Sequence, residues 1–199
     1  MATTATKPRA RNPRGKGTQL RDDLIAAARR LLDRHGQESA VTIRAVTREA
    51  GVAPQSFYLH FPTRDDLLLV LFREGHQQLY ERLESPARSA GTPEQRLRAV
   101  CAAYLAFADD NPAAYRTLMS VVGEVHDWKP QELPGIESFA ILNNAVADVR
   151  ATPPQKARAA AAAVWAHLHG IAELTRNKPT FPWPSTETLL DHVIATARG

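Results

Sequence analysis

Apolar positions recur at helical spacing from Leu20 almost to the end of this chain, and no stretch shows the period of two that marks a strand. Leu20, Leu24, Ala27, Ala28, Leu31 and Leu32 form the first stripe, predicting a helix over about 18–35 that Gly36 stops. A shorter stripe follows in Ile43, Val46 and Ala50. Thr42 opens it as an N-cap, and Gly51 closes it where left-handed backbone is expected. Pro54 suits the first position of a third helix, with Phe57 and Phe61 as its buried side and Pro62 as its end. Thr63 then caps a fourth helix, with Asp65 and Asp66 in its positive first turn. Leu67, Leu68, Leu71, Phe72 and Leu79 carry that helix to about residue 84, where Ser85-Pro86 predicts a break. Beyond Gly91, Thr92 caps a helix ending near Asn111-Pro112, and a short one holds Tyr115, Leu118 and Met119. Residues 125–135 read as a loop, followed by helices over about 136–150, 155–176 and 185–198.

Two short helices joined by a tight turn, between Thr42 and Leu67, have the layout of a helix-turn-helix that reads duplex DNA. The short second helix leaves Gln55, Ser56, Tyr58 and His60 for the outer faces, and no acidic residue lies between Val52 and Arg64. Arg44 and Arg48, at i and i+4, share a polar face of the preceding helix.

Charge distribution sharpens this picture. The net charge is +4, but Lys7, Arg9, Arg11, Arg14 and Lys16 fall within residues 1–17, which hold no acid. The remainder is therefore close to neutral. A basic segment broken by Pro8, Pro13, Gly15 and Gly17 is expected to be disordered when free. It leads directly into the first helix, as arms that track phosphates or enter the minor groove do.

Other chemistry is sparse. Cys101 is the single cysteine, on an apolar face with Leu97, Val100, Tyr104 and Leu105, and is expected to be a core thiol in a reducing compartment. No apolar run suits a secretory signal or a membrane span, so a soluble cytoplasmic protein is expected. His167 and His169 point to different helix faces, and there is no His-Glu-x-x-His pair, cysteine cluster or glycine-rich phosphate loop. Neither a metal, a cofactor nor an enzyme activity is expected.

The run Thr42-Ile43-Arg44-Ala45-Val46, then Ala50-Gly51-Val52, then Phe57-Tyr58-Leu59-His60-Phe61-Pro62-Thr63-Arg64-Asp65-Asp66-Leu67-Leu68, resembles the DNA-binding domain of the TetR (tetracycline-repressor-like) family. Ala53 stands where the family usually has Ser, Arg64 where it has Lys, and Leu59 where it has a basic residue. The resemblance implies an all-α chain with an N-terminal three-helix helix-turn-helix domain and a C-terminal helical bundle for ligand binding and dimerisation. The corresponding spans are an arm at 1–17, a reader at 18–64 and an effector and dimerisation domain at 65–199. In this reading Pro54, Gln55 and Ser56 face base edges, and Gln55 can pair bidentately with adenine. Thr42, Arg44, Tyr58, His60 and Arg64 hold phosphates and set register.

Trp165, His169 and Gly170 further resemble a Trp-…-His-Gly signature of one C-terminal subclass, as do Tyr104-Leu105-Ala106-Phe107 to Asn111-Pro112 and Tyr115. The family pairs through its last two helices. The small residues Ala159, Ala163, Ala166 and Gly170, with Leu190, Val193 and Ile194, are accordingly the expected homodimer seam. The resemblance also implies a small-molecule effector, for which Tyr104, Phe107, Tyr115, Met119, Trp128, Phe139, Trp165 and His169 are the candidate lining. Their mixture suits a largely apolar ligand with one or two hydrogen-bonding groups. A repressor that leaves a palindromic operator on binding such a ligand is the expected function. The alternatives are a DNA-binding regulator with no effector and, much further off, a helical enzyme or metal-binding protein.

Overall fold

The computed structural model describes residues 16–89, 91–119 and 133–198, and within them every regular element is a helix. Helix α1 (Lys16–His35) begins two residues before the expected start, so Lys16 belongs to the helix and not to the arm. It buries Leu24, Ile25, Ala27, Ala28, Leu31 and Leu32, and Gly36 ends it at φ +66°. A single 3-10 turn (Glu38–Ala40) leads into α2 (Ile43–Glu49). There the Thr42 side chain accepts the Ala45 N–H at 3.1 Å, as a capping residue should. Gly51 takes φ +69°, with Val52 N–H donating to the Thr47 carbonyl and Gly51 N–H to that of Arg48. This pair of bonds is the Schellman closure, and only glycine adopts its left-handed position at little cost.

Helix α3 (Pro54–Phe57) is shorter than the seven or so residues the pattern suggests. Its cap, Ala53, offers no side-chain acceptor, and Pro62 disfavours helix at Phe61, so the chain relaxes into a turn through Tyr58–His60. Thr63 caps α4 (Arg64–Ala87) in a reciprocal box with Asp66, at 3.2 Å and 2.9 Å. The helix does not stop at Ser85-Pro86. Pro86 sits in the last turn, where its missing N–H removes one bond, and Arg88 N–H closes the end on Glu84. Packing of Leu79, Leu83 and Ala87 outweighs that loss.

The remaining helices are α5 (Pro93–Asp110), α6 (Pro112–Met119), α7 (Ile136–Val149), α8 (Pro154–Asn177) and α9 (Thr186–Arg198). Two apolar cores result. One joins α1, α2, α3 and the first turns of α4, with Ala113 of α6 reaching into it. The second lies among the rest of α4 and α5 to α9, and Cys101 is inside it, its thiol pushed up to about 12 by burial. Helix α4 spans about 36 Å at 1.5 Å per residue. Leu67, Leu68 and Leu71 sit in the first core and Leu79 and Leu83 in the second, so one rigid element connects the two.

Candidate nucleic-acid interface and ligand cavity

Anchoring of the short α3 comes from Phe57 and Phe61, both buried, with ring centroids 5.6 Å apart. Everything else on α3 and its turn faces outward to some degree. Pro54 and Gln55 are exposed, Ser56 and His60 half-buried, and Tyr58 is 59% exposed. Thr42 and Arg44 are exposed at the start of α2. The structure thus brings seven of the eight expected DNA-facing residues to the outer surface of one unit.

Arg64 is the exception. Its Nε donates to the Val41 carbonyl and one terminal nitrogen to the Glu38 carbonyl, each at 2.7 Å, with the Glu38 carboxylate at 3.2 Å. The third nitrogen meets Asp65 at 3.3 Å. A guanidinium engaged on every nitrogen is a clamp between the 3-10 turn and α4. Its tertiary partners lie 23 and 26 residues away, so the sequence pattern could not show them.

Two residues join the surface that the sequence reading left out. Leu59 is 75% exposed, the most exposed large apolar side chain on the reader. Arg48 is exposed beside Arg44, and among the described residues neither has an ion-pair partner. By contrast Arg30 and Arg34 are held by Glu49, whose carboxylate lies below its usual range because of hydrogen bonds first from Arg34 and then from Arg30. The i, i+4 spacing of Arg44 and Arg48 was the readable sign. Arg21 stacks over the Phe61 ring at 5.3 Å, which sets the N-terminal turns of α1 beside the end of α3. The arm residues Lys7, Arg9, Arg11 and Arg14 lie outside the described residues.

A cavity of about 90 Å³ opens between α4, α5, α7 and α8. Of the expected lining, Tyr104, Met119, Phe139 and Trp165 are in its wall, and Phe139 and Trp165 meet edge-on with centroids 6.1 Å apart. Phe107 is not: it is buried in the core away from the cavity. Tyr115 lies behind Tyr104, their hydroxyls 3.2 Å apart, and reaches His169 Nδ1 at 2.8 Å. His169 sits beyond it in a neighbouring depression with Gly36, Glu38 and Arg116, joined to the cavity through the two tyrosines and through Met119, which lines both. Trp128 lies outside the described residues.

His76 and Ser138 line the cavity and were missed. Both stood in apolar stripes, His76 with Leu79 and Leu83, Ser138 with Leu142 and Ala145, so their inward direction was legible. Burial lowers the His76 imidazole from its usual 6.5 to about 4. In the interval between those values the unfolded chain takes up a proton that the folded chain refuses. Stability is therefore fully present above pH 6.5 and is expected to fall by about 1–3 kcal/mol towards pH 4. Urea midpoints across that range should show the slope in the native protein and a flatter one in His76→Gln; equal slopes would contradict the assignment.

The seam residues divide. Leu190, Val193 and Ile194 are buried in the chain's own core, because α9 turns its apolar face towards α5, α7 and α8. Val193 also lines the shallow groove between α8 and α9. Ala159, Ala163 and Ala166 are exposed and Gly170 half-buried along one outward face of α8. A side chain added at Gly170 would meet nothing within 4 Å. Leu174, Trp183 and Leu189 extend this face into a shallow apolar groove between α8 and α9.

Residues 24–71 match the family described as bacterial regulatory proteins, tetR family, and residues 97–197 match the tetracyclin repressor-like C-terminal domain. The chain belongs to the TetR family. It is a DNA-binding transcription regulator and not an enzyme. Solved structures with the same fold include a protein of unknown function from Rhodococcus sp. RHA1, at TM-score 0.72 and 24% identity, covering 90% of this chain and 94% of that one. The fatty acid degradation regulator FadR from Bacillus halodurans matches at TM-score 0.63 and 16% identity, over 96% and 97% of the two chains. SmeT, solved as a complex with triclosan, matches at TM-score 0.64 and 18% identity, over 89% and 90%. Among the described residues no helix is long and apolar enough to cross a membrane, and no group of three His, Cys, Asp or Glu residues could hold a metal ion.

Proposed function

We propose that this TetR-family protein is a repressor that binds a palindromic operator as a homodimer and leaves it when a small, largely apolar ligand enters the cavity. The observation that carries the reading is α4 itself, which supplies Leu67, Leu68 and Leu71 to the reader's core and His76, Leu79 and Leu83 to the cavity wall. A ligand that favours one α4 orientation changes the spacing of two readers, provided it binds one conformer better than the other. The Tyr104–Tyr115–His169 chain gives a second connection, from the cavity wall to the depression where Arg116 lies against Gly36 at the end of α1. SmeT, of the same fold, is solved with triclosan bound, which supports a small apolar compound as the class of effector.

Dimerisation uses the outward face of α8 at Ala159, Ala163, Ala166 and Gly170, together with Leu174 and Leu189. Pairing is needed because a reader this short makes few base contacts, each worth only ~1–3 kcal/mol of discrimination. Gln55 reads adenine, with Pro54 and Ser56 beside it. Thr42, Arg44, Arg48, Tyr58 and His60 hold phosphates. The reader spans 18–64 and the effector and dimerisation body 65–199, with α4 common to both, and the protein acts in the cytoplasm.

Selection of bound sites from random duplex DNA, repeated with a metabolite library, tests this reading. The expected product is an inverted repeat with half-sites roughly 34–36 Å apart or a multiple of it. Gln55→Ala should relax one position per half-site. Recovery of single unrepeated sites, or no release by any compound, would sink it. The arm adds a further expectation. Deleting residues 1–15 removes Lys7, Arg9, Arg11 and Arg14 from each protomer. The slope of log affinity against log salt should then shrink by up to about 3–4 per protomer, since each neutralised phosphate contributes about 0.9. Titrations at several salt concentrations measure it, and an unaltered slope means the arm touches no phosphate.

A further inference from the structure

Leu59 is the most exposed large apolar side chain among the described residues, at 75%. A single leucine on a protein surface is ordinary, so the place of this one in the reader is what gives it meaning. His60 N–H and Phe61 N–H both donate to the Phe57 carbonyl at 3.0 Å, which keeps a helical winding past the end of α3. At about 100° per residue, Leu59 then points about 160° away from both Phe57 and Phe61, the two buried anchors. Gln55, four residues earlier and also exposed, falls within about 40° of it. The neighbours fall on the flanks. Tyr58 leans edge-on against Phe57 at 5.7 Å, and His60 is half-buried.

Gln55 and Leu59 thus form the ridge of the reader, the line that goes deepest when this unit enters a major groove. The surroundings suit duplex DNA: no acidic residue lies between Val52 and Arg64, and the cations Arg44 and Arg48 stand exposed on the adjoining α2. A leucine at that depth can neither donate nor accept a hydrogen bond. Beside guanine, adenine or cytosine it would strip water from ring nitrogens, carbonyls or amino groups and give no hydrogen bond back. The C5-methyl group of thymine is the apolar feature of the major-groove edge, and it has no such cost.

We propose, building on the operator reading above, that Leu59 is a specificity-determining residue that packs against the C5-methyl group of a thymine in each half-site. One helical turn separates it from Gln55, about 6 Å along the axis, against a base-pair rise of about 3.4 Å. The thymine therefore lies one or two base pairs from the position that Gln55 reads. The two residues divide the work by chemistry. Gln55 identifies one base pair through hydrogen bonds, and Leu59 identifies another through a methyl contact and through the polar edges it rejects. A reader with one turn of helix thereby specifies more sequence than its polar side chains alone allow.

Deoxyuridine lacks only that methyl group and keeps the base pairing of thymine. The test takes the operator recovered by selection, replaces its thymines by deoxyuridine one at a time, and titrates the full-length protein and its Leu59→Ala variant. The native protein should lose about fourfold in affinity at one thymine of each half-site, the transfer value of one buried methyl group. Leu59→Ala should bind the thymine operator about five- to tenfold more weakly and be indifferent to the same replacement. Its melting temperature should be native, because the side chain is exposed. A second arm places cytosine or 5-methylcytosine, paired with guanine, at that position. The native protein should favour the methylated pair about fourfold and Leu59→Ala should favour neither. A deoxyuridine loss that persists in Leu59→Ala, an equal weakening of Leu59→Ala on every sequence, or unchanged binding by Leu59→Ala overturns the assignment, the last pointing to a protein partner instead. A selection that recovers no preferred site overturns the operator reading and takes this one with it. A preferred site at which no methyl effect depends on Leu59 overturns this one alone.

Discussion

Phe57→Ala should destabilise the protein by about 3–5 kcal/mol and abolish operator binding. Phe57 is fully buried between the Phe61 ring and the α1–α2–α4 core. Helix α3 has one turn and no side-chain cap, so it has no stability of its own and takes its position from these two rings. Removing one leaves a cavity under the surface that presents Gln55, Ser56 and Tyr58. Phe57→Leu keeps most of the volume and should cost much less. Thermal melts and gel-shift titrations read both effects, and an alanine variant with native affinity would show that α3 is positioned by something else.

Arg64→Ala should cost about 2–3 kcal/mol, the scale of charge-assisted hydrogen bonds to two carbonyls that are then left unmet. The discriminating property is salt dependence. A phosphate ligand, when removed, lowers the slope of log affinity against log salt by about one per contact. The clamp seen here predicts a lower melting temperature and an unchanged slope. Arg64→Lys should not restore stability, because a point ammonium cannot span Val41, Glu38 and Asp65 as the planar fork does. A variant with native melting and a reduced slope would return Arg64 to the DNA surface.

Most of the helix boundaries were legible because they depend on neighbours in sequence. Thr42, Thr63 and Thr92 cap where their hydroxyls predict, and Gly36 and Gly51 stop helices through backbone freedom alone. Where local rules compete with packing, reading by pattern fell short. Pro86 looked like a break, but Leu83 and Ala87 hold the last turn on the core. Helix α3 looked longer than it is because Phe57 and Phe61 have helical spacing, yet the same two rings pack equally well across a turn.

The sites divide along the same line. Gln55, Tyr58 and Arg44 were readable because a short helix with one buried side exposes whatever is left. Half of the ligand lining was readable as aromatic and flexible apolar residues. Phe107 and Tyr115 are equally aromatic, and nothing in their spacing tells a cavity wall from the layer behind it. Likewise Leu190, Val193 and Ile194 show that an apolar stripe announces burial but not by which molecule.

By itself, then, the sequence determined the helices, the reader and its family, since caps, turns and stripes act within a few residues. Tertiary structure alone decided three things: that Arg64 braces the reader, that α8 and not α9's apolar stripe faces outward, and that His76 and Ser138 share one cavity. Each depends on which distant residue arrives as neighbour, and side-chain periodicity carries direction but no partner.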